Sequence, residues 1–349
     1  METVLVTGAA GYIGSVLVPK LLAKGYRVKA LDRFFFGEDK LVPHQHLTTI
    51  QEDSRKITKD IFDSVDYVID LVAISNDPSG ELFEESTWQI NHHGRVNTAK
   101  LAKEQGVKRY ILPSSCSIYG FQPELVDESA ITNPLTVYAK ANEKAESGVL
   151  ALANENFCVS VMRQSTIFGY GRRMRFDLAI NGMTLGAFKQ GVLPLMRDGS
   201  QYRPMLHIQD TTDVMCLLLT VDANKINNEI FNVGSDENNY QLGVLGQKVA
   251  DCVGQHMNKK IPIEWYGDPD HRSYKVSFDK IEKVLGWKAQ WNAEKGVKEI
   301  IEKLLNGELV ETEDSLTLPW YQELIKWHAI IKRIEMHGGM VDINMEVDK

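Results

Sequence analysis

The sequence predicts an α/β protein built on a doubly wound parallel sheet, with a smaller C-terminal α/β lobe. Short apolar runs rich in β-branched residues alternate with helical patterns through the first half of the chain. Their nearly continuous apolar character is typical of strands buried on both faces of a parallel sheet. A glycine-rich turn after the first run and an acid at the end of the second favour the same class. The strand candidates are residues 3–8, 26–32, 66–73, 108–115 and 157–165.

The helical patterns between these runs complete a βαβ rhythm. They cover residues 14–25, 89–106 and 136–156, and a further helix is predicted over 318–339 near the end of the chain. Each segment repeats apolar residues at helical spacing, and each lies between apolar runs or after the last of them.

These elements predict three regions. We expect a cofactor-binding sheet domain over residues 1–168, to which 206–233 returns because 228–234 is another apolar strand candidate. A smaller substrate lobe is expected over 169–310. Residues 311–349 form a helical extension that packs either on the body or on a second subunit.

Composition narrows the class of protein. The chain has 349 residues and a formal net charge of −8, which argues against a nucleic-acid surface. Its four cysteines and nine histidines show no metal-ligand spacing, so we predict reduced thiols and no metal. No segment resembles a signal peptide or a membrane span, and we therefore expect a cytoplasmic protein.

The glycine-rich turn TGAAGYIG predicts a dinucleotide site. Gly8 can make the tight turn, Gly11 allows close approach of a diphosphate, and Gly14 allows close packing of the following helix. The alternative is a glycine-rich turn without a ligand. This alternative is disfavoured because Asp32 ends the second strand, where a carboxylate can accept hydrogen bonds from both hydroxyls of an adenosine ribose. Asp32 favours NAD over NADP, although Arg33 leaves NADP open.

Further cofactor contacts are expected around this motif. Asp53, which follows LTTIQE, is placed to reach the adenine amino group, although on sequence alone it could equally be a solvated surface acid. The remaining expected contacts of this group are Tyr12, Ile13, Ser54, Val72 and Ala73.

A second motif, LPSSCSIYG, predicts the chemical site. It ends a strand at the edge of the sheet where α/β folds bind ligands, so Ser114, Ser115 and Ser117 beside Tyr119 should face the crevice. Tyr138 follows at the start of a long helix. A serine and a tyrosine converging on a hydroxyl group could remove its proton while NAD accepts the hydride.

In these motifs the chain resembles the NAD-dependent nucleotide-sugar epimerase/dehydratase family, which consists of extended short-chain dehydrogenases/reductases with a Rossmann-type sheet. The resemblance rests on TGAAGYIGS, the acid after the second strand, SSCSIYG, NPLTVYAK, RQSTIFG, RPMLHIQD and DPDHRSYKVSFDKIEKVLGW. These pieces occur in the family's order between residue 3 and about residue 305.

The resemblance implies roles for matching residues. Ser115 would bind the reacting sugar oxygen and Tyr138 would be the base and acid. Asn91 would help to order the active-site helix and its water, and Asn91 and Tyr138 would both belong to the cofactor-binding residues. Arg203 and Arg272 would hold the nucleotide diphosphate. The alternative for both arginines is a surface or interdomain ion pair. Family members also commonly form homodimers through helices near 95–105 and 138–153.

Two departures from the family pattern shape the expected reaction. The family has Tyr-x-x-x-Lys, in which the resemblance implies that the lysine holds the nicotinamide ribose and, by its charge, lowers the pKa of the tyrosine. Asn142 stands at the lysine position, and asparagine can bond the nicotinamide ribose without supplying charge. Cys116 and Ser117 follow Ser115 where 4,6-dehydratases carry an Asp-Glu pair, so 4,6-dehydration is not expected. The sequence therefore predicts an NAD-dependent 4-epimerase of nucleotide sugars. A 4-dehydrogenase or 4-keto reductase, and a non-catalytic binding protein, are the alternatives.

Overall fold

The computed structural model describes residues 1–268 and 272–335. A seven-stranded parallel sheet forms its centre, in the order β3-β2-β1-β4-β5-β7-β11. The strands are β1 (Thr3–Thr7), β2 (Arg27–Asp32), β3 (Leu47–Gln51), β4 (Tyr67–Asp70), β5 (Arg109–Ser115), β6 (Phe121–Val126), β7 (Cys158–Gln164), β8 (Thr166–Phe168), β9 (Leu193–Met196), β10 (Tyr202–His207), β11 (Glu229–Val233), β12 (Asn239–Gln241), β13 (Ile263–Tyr266) and β14 (Ser273–Val276). The Rossmann-type doubly wound sheet predicted from the sequence is confirmed.

Helices cover the sheet and build the smaller lobe. They are α1 (Gly14–Ala23), α2 (Asp77–Leu82), α3 (Glu84–Thr87), α4 (Arg95–Glu104), α5 (Val137–Leu150), α6 (Ala179–Gln190), α7 (Ile208–Thr220), α8 (Leu242–Met257), α9 (Asp279–Leu285), α10 (Ala293–Leu305) and α11 (Thr317–Ile334). A π-helical segment, Trp88–Gly94, precedes α4 without a break. No helix in the described part of the chain is long and apolar enough to cross a membrane.

Strand β1 explains why the central strands read as continuous apolar runs. Val4 and Val6 belong to one buried cluster, whereas Leu5 between them belongs to the cluster on the opposite face. Successive side chains of a strand point to opposite faces, so a sheet covered by helices on both sides requires apolar residues at every position.

The edges of the sheet were harder to read from the sequence. The strand predicted at 228–234 is confirmed as β11, which pairs in parallel with β7. At the other edge, β3 pairs with β2 although it was not among the strand candidates. Its burial pattern explains the miss, because Thr48, Thr49 and Gln51 are exposed and break the apolar run.

The strand order reverses between β1 and β4, and this point fixes the place of the site. From β1 the chain winds outward to β2 and β3, and then returns to lay β4 on the other side of β1. The loops after β1 and β4 therefore leave the sheet in opposite directions and open a crevice at the carboxyl ends of the strands.

Candidate functional site

A cavity of about 650 Å³ lies in this crevice, between the sheet and the smaller lobe. This volume lies within the range of pockets that hold small molecules and cofactors. The walls carry most of the site residues expected from the sequence. Those that line it are Gly8, Gly11, Tyr12, Ile13, Gly14, Asp32, Arg33, Asp53, Ser54, Val72, Ala73, Ser115, Tyr138, Arg203 and Arg272.

The glycine-rich turn has room only for glycine at two of its positions. Gly8 has φ +66°, and a Cβ added there would lie 2.9 Å from the backbone nitrogen of Val72. A Cβ on Gly14 would lie 2.3 Å from the carbonyl oxygen of Ala9. The turn is therefore packed backbone to backbone at the N-terminus of α1, where peptide N–H groups and the helix dipole favour an anion.

Asp32 joins this turn to the end of β2. Its carboxylate accepts hydrogen bonds from the backbone N–H of Ala10 at 2.9 Å and of Phe34 at 2.8 Å. Burial raises the pKa of this carboxyl, while those two N–H groups act in the opposite direction. The backbone thus fixes the carboxylate in the cavity wall, where its remaining lone pairs can accept ribose hydroxyls.

Asp53 is held by arginines rather than by solvent. Its carboxylate accepts from Arg55 at 2.5 and 2.9 Å and from Arg33 at 3.2 Å, and its side chain is 14% exposed. The hydrogen bonds from Arg55 lower the pKa of Asp53 to about 2. Asp53 is therefore an acid that is paired with two arginines and is only partly open to solvent. A contact with adenine stays a prediction, as does one for the buried neighbour Ser54.

Two expected cofactor residues have their polar groups engaged within the protein. The Tyr12 hydroxyl donates to the carbonyl of Gly169 at 2.6 Å, which leaves only its ring for the cavity. Asn91 is fully buried and is not among the described residues that line the cavity. Its amide accepts from the N–H of Ile74 at 2.8 Å and donates to the carbonyl of Ile74 at 2.9 Å. Asn91 therefore holds the loop after β4 rather than reaching a cofactor directly.

Ser115 and Tyr138 meet in the chemical part of the cavity. Ser115 ends β5, and Tyr138 lies in the first turn of α5, which begins at the cap formed by Thr136. Burial and then the Asp77 carboxylate raise the pKa of the Tyr138 phenol. Arg95, a hydrogen bond with Ser115 and Arg175 each lower it by less.

The other hydroxyl residues of LPSSCSIYG differ in whether they border the cavity. Ser114 and Ser117 line the cavity, as expected, but the Ser114 hydroxyl donates to Glu146 at 2.5 Å. The expectation for Tyr119 is wrong. Its side chain is fully buried, and its hydroxyl donates to Asn232 at 2.8 Å on the side of β11.

Asn142 is not among the described residues that line the cavity. It is 1% exposed, and its amide oxygen accepts from Arg95 at 2.9 Å while its amide nitrogen donates to the carbonyl of Tyr138 at 3.0 Å. Both ends of the amide are therefore engaged inside the protein. The structure therefore differs from the expected bond between Asn142 and a nicotinamide ribose, because the amide bonds Arg95 and Tyr138 instead.

Arg203 and Arg272 stand together on the lobe side of the cavity. The Arg203 guanidinium donates to the carbonyls of Tyr202, at 2.8 Å, and of Arg272, and lies 5.2 Å from the ring centre of Tyr274. Arg272 pairs with Asp77 of α2. Arg272 thus forms an ion pair of the kind that the alternative named, and both arginines lie at the cavity wall, where they can also face an anionic ligand. Binding of a nucleotide diphosphate by these two residues stays a prediction.

Arg173, in the cluster GYGRRMR, was not predicted as a site residue. It lines the cavity, is 3% exposed, donates to Thr317 at 2.9 Å and stacks over Phe36 at 3.8 Å. Its Nε is buried and has no hydrogen-bond partner among the described residues. Burial lowers the pKa of this guanidinium to about 10.

The helix predicted over 318–339 closes one end of the cavity. The indole N–H of Trp320 donates to the carbonyl of Phe35 at 2.6 Å, and Tyr321, Leu324 and Ile325 line the cavity. The first turns of α11 therefore pack on the body, which decides the question that the sequence left open for them. Residues 336–339 lie outside the described part of the chain.

These features fit a dinucleotide. The backbone N–H groups at the start of α1 suit its diphosphate, as does Nε of Arg173, which has no partner within the described part of the chain. Asp32 suits a ribose, and the aromatic and apolar side chains under α11 suit a base.

Known proteins of this architecture catalyse different reactions. The chain is 26% identical over 312 residues to UDP-glucuronic acid decarboxylase 1 of Danio rerio, covering 86% of this chain and 72% of that protein. UDP-glucuronic acid 4-epimerase from Bacillus cereus, solved with UDP-glucuronic acid and NAD, is 20% identical with a TM-score of 0.78, over 87% of this chain and 99% of that one. dTDP-glucose 4,6-dehydratase from Bacillus anthracis, solved with NAD, is 20% identical with a TM-score of 0.76, over 88% and 98%.

The family itself is shown by a match that spans the sheet domain. Residues 4–234 fit the model of the NAD dependent epimerase/dehydratase family, which covers the glycine-rich turn, Asp32, Ser115 and Tyr138. NAD, which Asp32 favours over NADP, is accordingly the cofactor. The chain belongs to the NAD dependent epimerase/dehydratase family.

Proposed function

We propose that the protein is an NAD-dependent nucleotide-sugar epimerase that acts at C4 of the sugar. The observation that carries this proposal is the placement of Ser115 and Tyr138 in one cavity with the dinucleotide turn and with Arg203 and Arg272. The similar proteins that act on UDP-sugars support the nucleotide-sugar class.

In the proposed reaction Arg203 and Arg272 bind the diphosphate of the substrate and orient the sugar toward α5. Ser115 hydrogen-bonds the C4 oxygen, and Tyr138 takes the proton from that oxygen when the carbon is oxidised. Tyr138 returns the proton when the opposite face of the ketone is reduced. NAD, when bound, supplies the hydride acceptor and donor.

Asp77 links the two sets of residues. Its carboxylate pairs with Arg272 and accepts from the hydroxyl of Thr136, the cap residue two positions before Tyr138, at 2.5 Å. A substrate diphosphate that engages Arg272 would compete with Asp77 for the same guanidinium. Substrate binding and the position of the first turn of α5 are therefore expected to be coupled.

The residues after Ser115 favour epimerisation over 4,6-dehydration. Cys116 is fully buried and its thiol donates to the carbonyl of Arg163 at 3.2 Å, and Ser117 has a neutral side chain. Neither can supply the carboxylic acid that elimination of water requires. A 4-dehydrogenase or 4-keto reductase would use the same Ser115 and Tyr138. The dehydrogenase would release the ketone with reduced NAD, and the reductase would take up a ketone and oxidise reduced NAD.

The test uses the purified protein with NAD and a panel of UDP-, GDP-, CDP- and dTDP-sugars, including UDP-glucuronic acid. Absorbance of reduced nicotinamide and NMR of the sugar are followed together. Inversion at C4 without accumulation of reduced cofactor is expected. A ketone with net reduced cofactor would identify the dehydrogenase instead, and loss of the C6 carboxylate as carbon dioxide would identify a decarboxylase.

A protein that binds NAD and a nucleotide sugar without changing the sugar would contradict an enzymatic role. Isothermal titration with each sugar nucleotide separates that outcome from a failure to bind the panel. The Tyr138→Phe variant serves as the control, because it should bind both ligands and leave the sugar unchanged.

A further inference from the structure

Arg95 is a buried cation immediately behind the chemical site. It begins α4, is 3% exposed, and donates to the carbonyls of Asp70 at 2.8 Å and Pro113 at 2.7 Å. Its third bond, at 2.9 Å, goes to the amide oxygen of Asn142. The guanidinium therefore joins the ends of β4 and β5 to α5.

The charge of Arg95 is only loosely paired. The nearest carboxylate belongs to Asp70, whose Oδ2 lies 3.9 Å from Nε of Arg95. The oxygens of Asp70 accept instead from Thr7, at 2.5 Å, and from Tyr110. Nε of Arg95 has no hydrogen-bond partner among the described residues, so no carboxylate is hydrogen-bonded to this atom, while another nitrogen of the same guanidinium donates to Asn142 of α5.

Asn142 connects this cation to Tyr138. The amide oxygen faces Arg95 and the amide nitrogen donates to the Tyr138 carbonyl, so the orientation of the amide is fixed from both sides. Asparagine carries no charge, but the guanidinium behind it does. In a buried region with little water a charge acts over a longer distance than it does at the surface.

We propose that Arg95, linked through Asn142, supplies the positive charge that favours the ionised form of Tyr138 in place of a lysine at position 142. Arg95 is thus a positioning residue, and this inference rests on the proposed function only in making Tyr138 the base. The charged groups facing Tyr138 from other elements are Asp77 of α2, which opposes ionisation, and Arg175 of the lobe, which favours it. The Ser115 hydroxyl also favours it.

The test compares Arg95→Gln, which removes the charge, with Arg95→Lys, which keeps it and loses part of the hydrogen bonding. The protein is labelled with 3-fluorotyrosine, which brings phenol titration to lower pH, and fluorine NMR follows each tyrosine. The Tyr138 signal is assigned by its absence in Tyr138→Phe. We expect Arg95→Gln to raise the titration midpoint of Tyr138 by about 1 pH unit, and Arg95→Lys to leave it nearly unchanged.

A purely structural role for Arg95 gives a different pattern. Both variants would then lower the thermal unfolding temperature, and the Tyr138 midpoint would shift equally in both or in neither; this result would overturn the proposal. The titration needs no sugar turnover. Absence of activity in every assay would therefore refute the proposed function while this measurement still decided the role of Arg95.

A second experiment moves the positive charge from position 95 to position 142. Asn142→Lys alone places two buried cations side by side and should destabilise the fold, whereas Arg95→Gln/Asn142→Lys keeps one. The double variant should recover the stability and the Tyr138 midpoint of the wild type, even where Arg95→Gln by itself does not fold. Failure to recover either would overturn the proposal.

Discussion

The cavity has two halves that are held in different ways. The cofactor half, made by Gly8, Gly11, Gly14 and Asp32, is a backbone structure formed within 25 residues of chain. The chemical half around Tyr138 depends on side chains from distant segments, including Asp77, Arg95 and Arg175. The comparison indicates that the cofactor half follows from the spacing of residues in one short segment. The chemical half depends instead on how side chains from distant segments pack together.

The largest expected effect is the loss of turnover in Tyr138→Phe, which should occur without a loss of NAD affinity. Tyr138→Phe removes the proposed proton acceptor and should lower turnover by about 10²–10⁴-fold. NAD affinity should stay within about twofold, because the cofactor half does not use this hydroxyl. Steady-state kinetics and calorimetric titration with NAD measure the two quantities.

The control for this variant is Tyr266→Phe, which changes an exposed tyrosine on β13. Its turnover should equal that of the wild type. A Tyr138→Phe variant that retained full turnover would show that another group moves the proton, and the division into two halves would lose its basis.

Gly14→Ala is expected to act on the cofactor half and on the fold together. The added Cβ would meet the Ala9 carbonyl oxygen at 2.3 Å, so α1 or the turn must move. Overpacking of this kind costs about 1–3 kcal/mol of unfolding free energy. NAD affinity should fall at least tenfold, as measured by chemical denaturation and calorimetric titration.

Gly106→Ala is the matched control for backbone strain. Gly106 has φ +76°, and an added Cβ would meet no atom of the described chain within 4 Å. It should cost about 1 kcal/mol from the left-handed backbone alone and leave NAD affinity unchanged. Equal losses of NAD affinity in both variants would contradict the local origin of the cofactor half.

The same division explains what the sequence could predict. Gly8, Gly14 and Asp32 were predicted because their roles follow from spacing along one βαβ unit. Asn142 was recognised as a departure, but its partner Arg95 lies 47 positions away on another helix, and no pattern in the sequence connects them. Asn91 and Tyr119 were assigned to the wrong surroundings for the same reason, since burial decides where their polar groups point.

Helix α11 lies far along the chain from the glycine-rich turn but also borders the cofactor half of the cavity. A variant of α11 therefore tests whether NAD is held by the segment from Gly8 to Asp32 alone. The Tyr321 ring packs against Phe35, Phe36 and Phe83, with ring centres 5.7–6.3 Å apart. Aromatic pairs of this kind contribute about 0.5–1.5 kcal/mol each. Loss of the Tyr321 ring removes these contacts and should loosen α11 where it closes one end of the cavity. We therefore expect Tyr321→Ala to increase the NAD dissociation rate about tenfold, which corresponds to about 1.4 kcal/mol.

Trp327→Ala on the same helix is the control, because Trp327 is 56% exposed. Stopped-flow displacement of NAD compares the two variants. If Tyr321→Ala released NAD no faster than Trp327→Ala, then α11 would add nothing to cofactor retention and the cofactor half would be purely local.

The smallest expected effect concerns Asp53 and pH. Hydrogen bonds from Arg55 lower the pKa of Asp53 to about 2, below the value of about 4 of an unfolded aspartate. A carboxyl whose pKa is lowered on folding stabilises the protein above its unfolded pKa, and this stabilisation is lost as the pH falls from about 4 toward about 2. Asp53→Asn should therefore be slightly less stable than the wild type at neutral pH, and the two should converge through that window.

The ion pairs at Asp53 are partly open to solvent, so the difference at neutral pH should be well under that of Gly14→Ala. Chemical denaturation at a series of pH values measures it, with Asp251→Asn on the exposed face of α8 as the control for loss of one negative charge. The control curve should run parallel to that of the wild type. An Asp53→Asn curve that also stayed parallel would mean that the arginines around Asp53 position the wall of the cofactor half without stabilising it, and the local backbone would then carry that half alone.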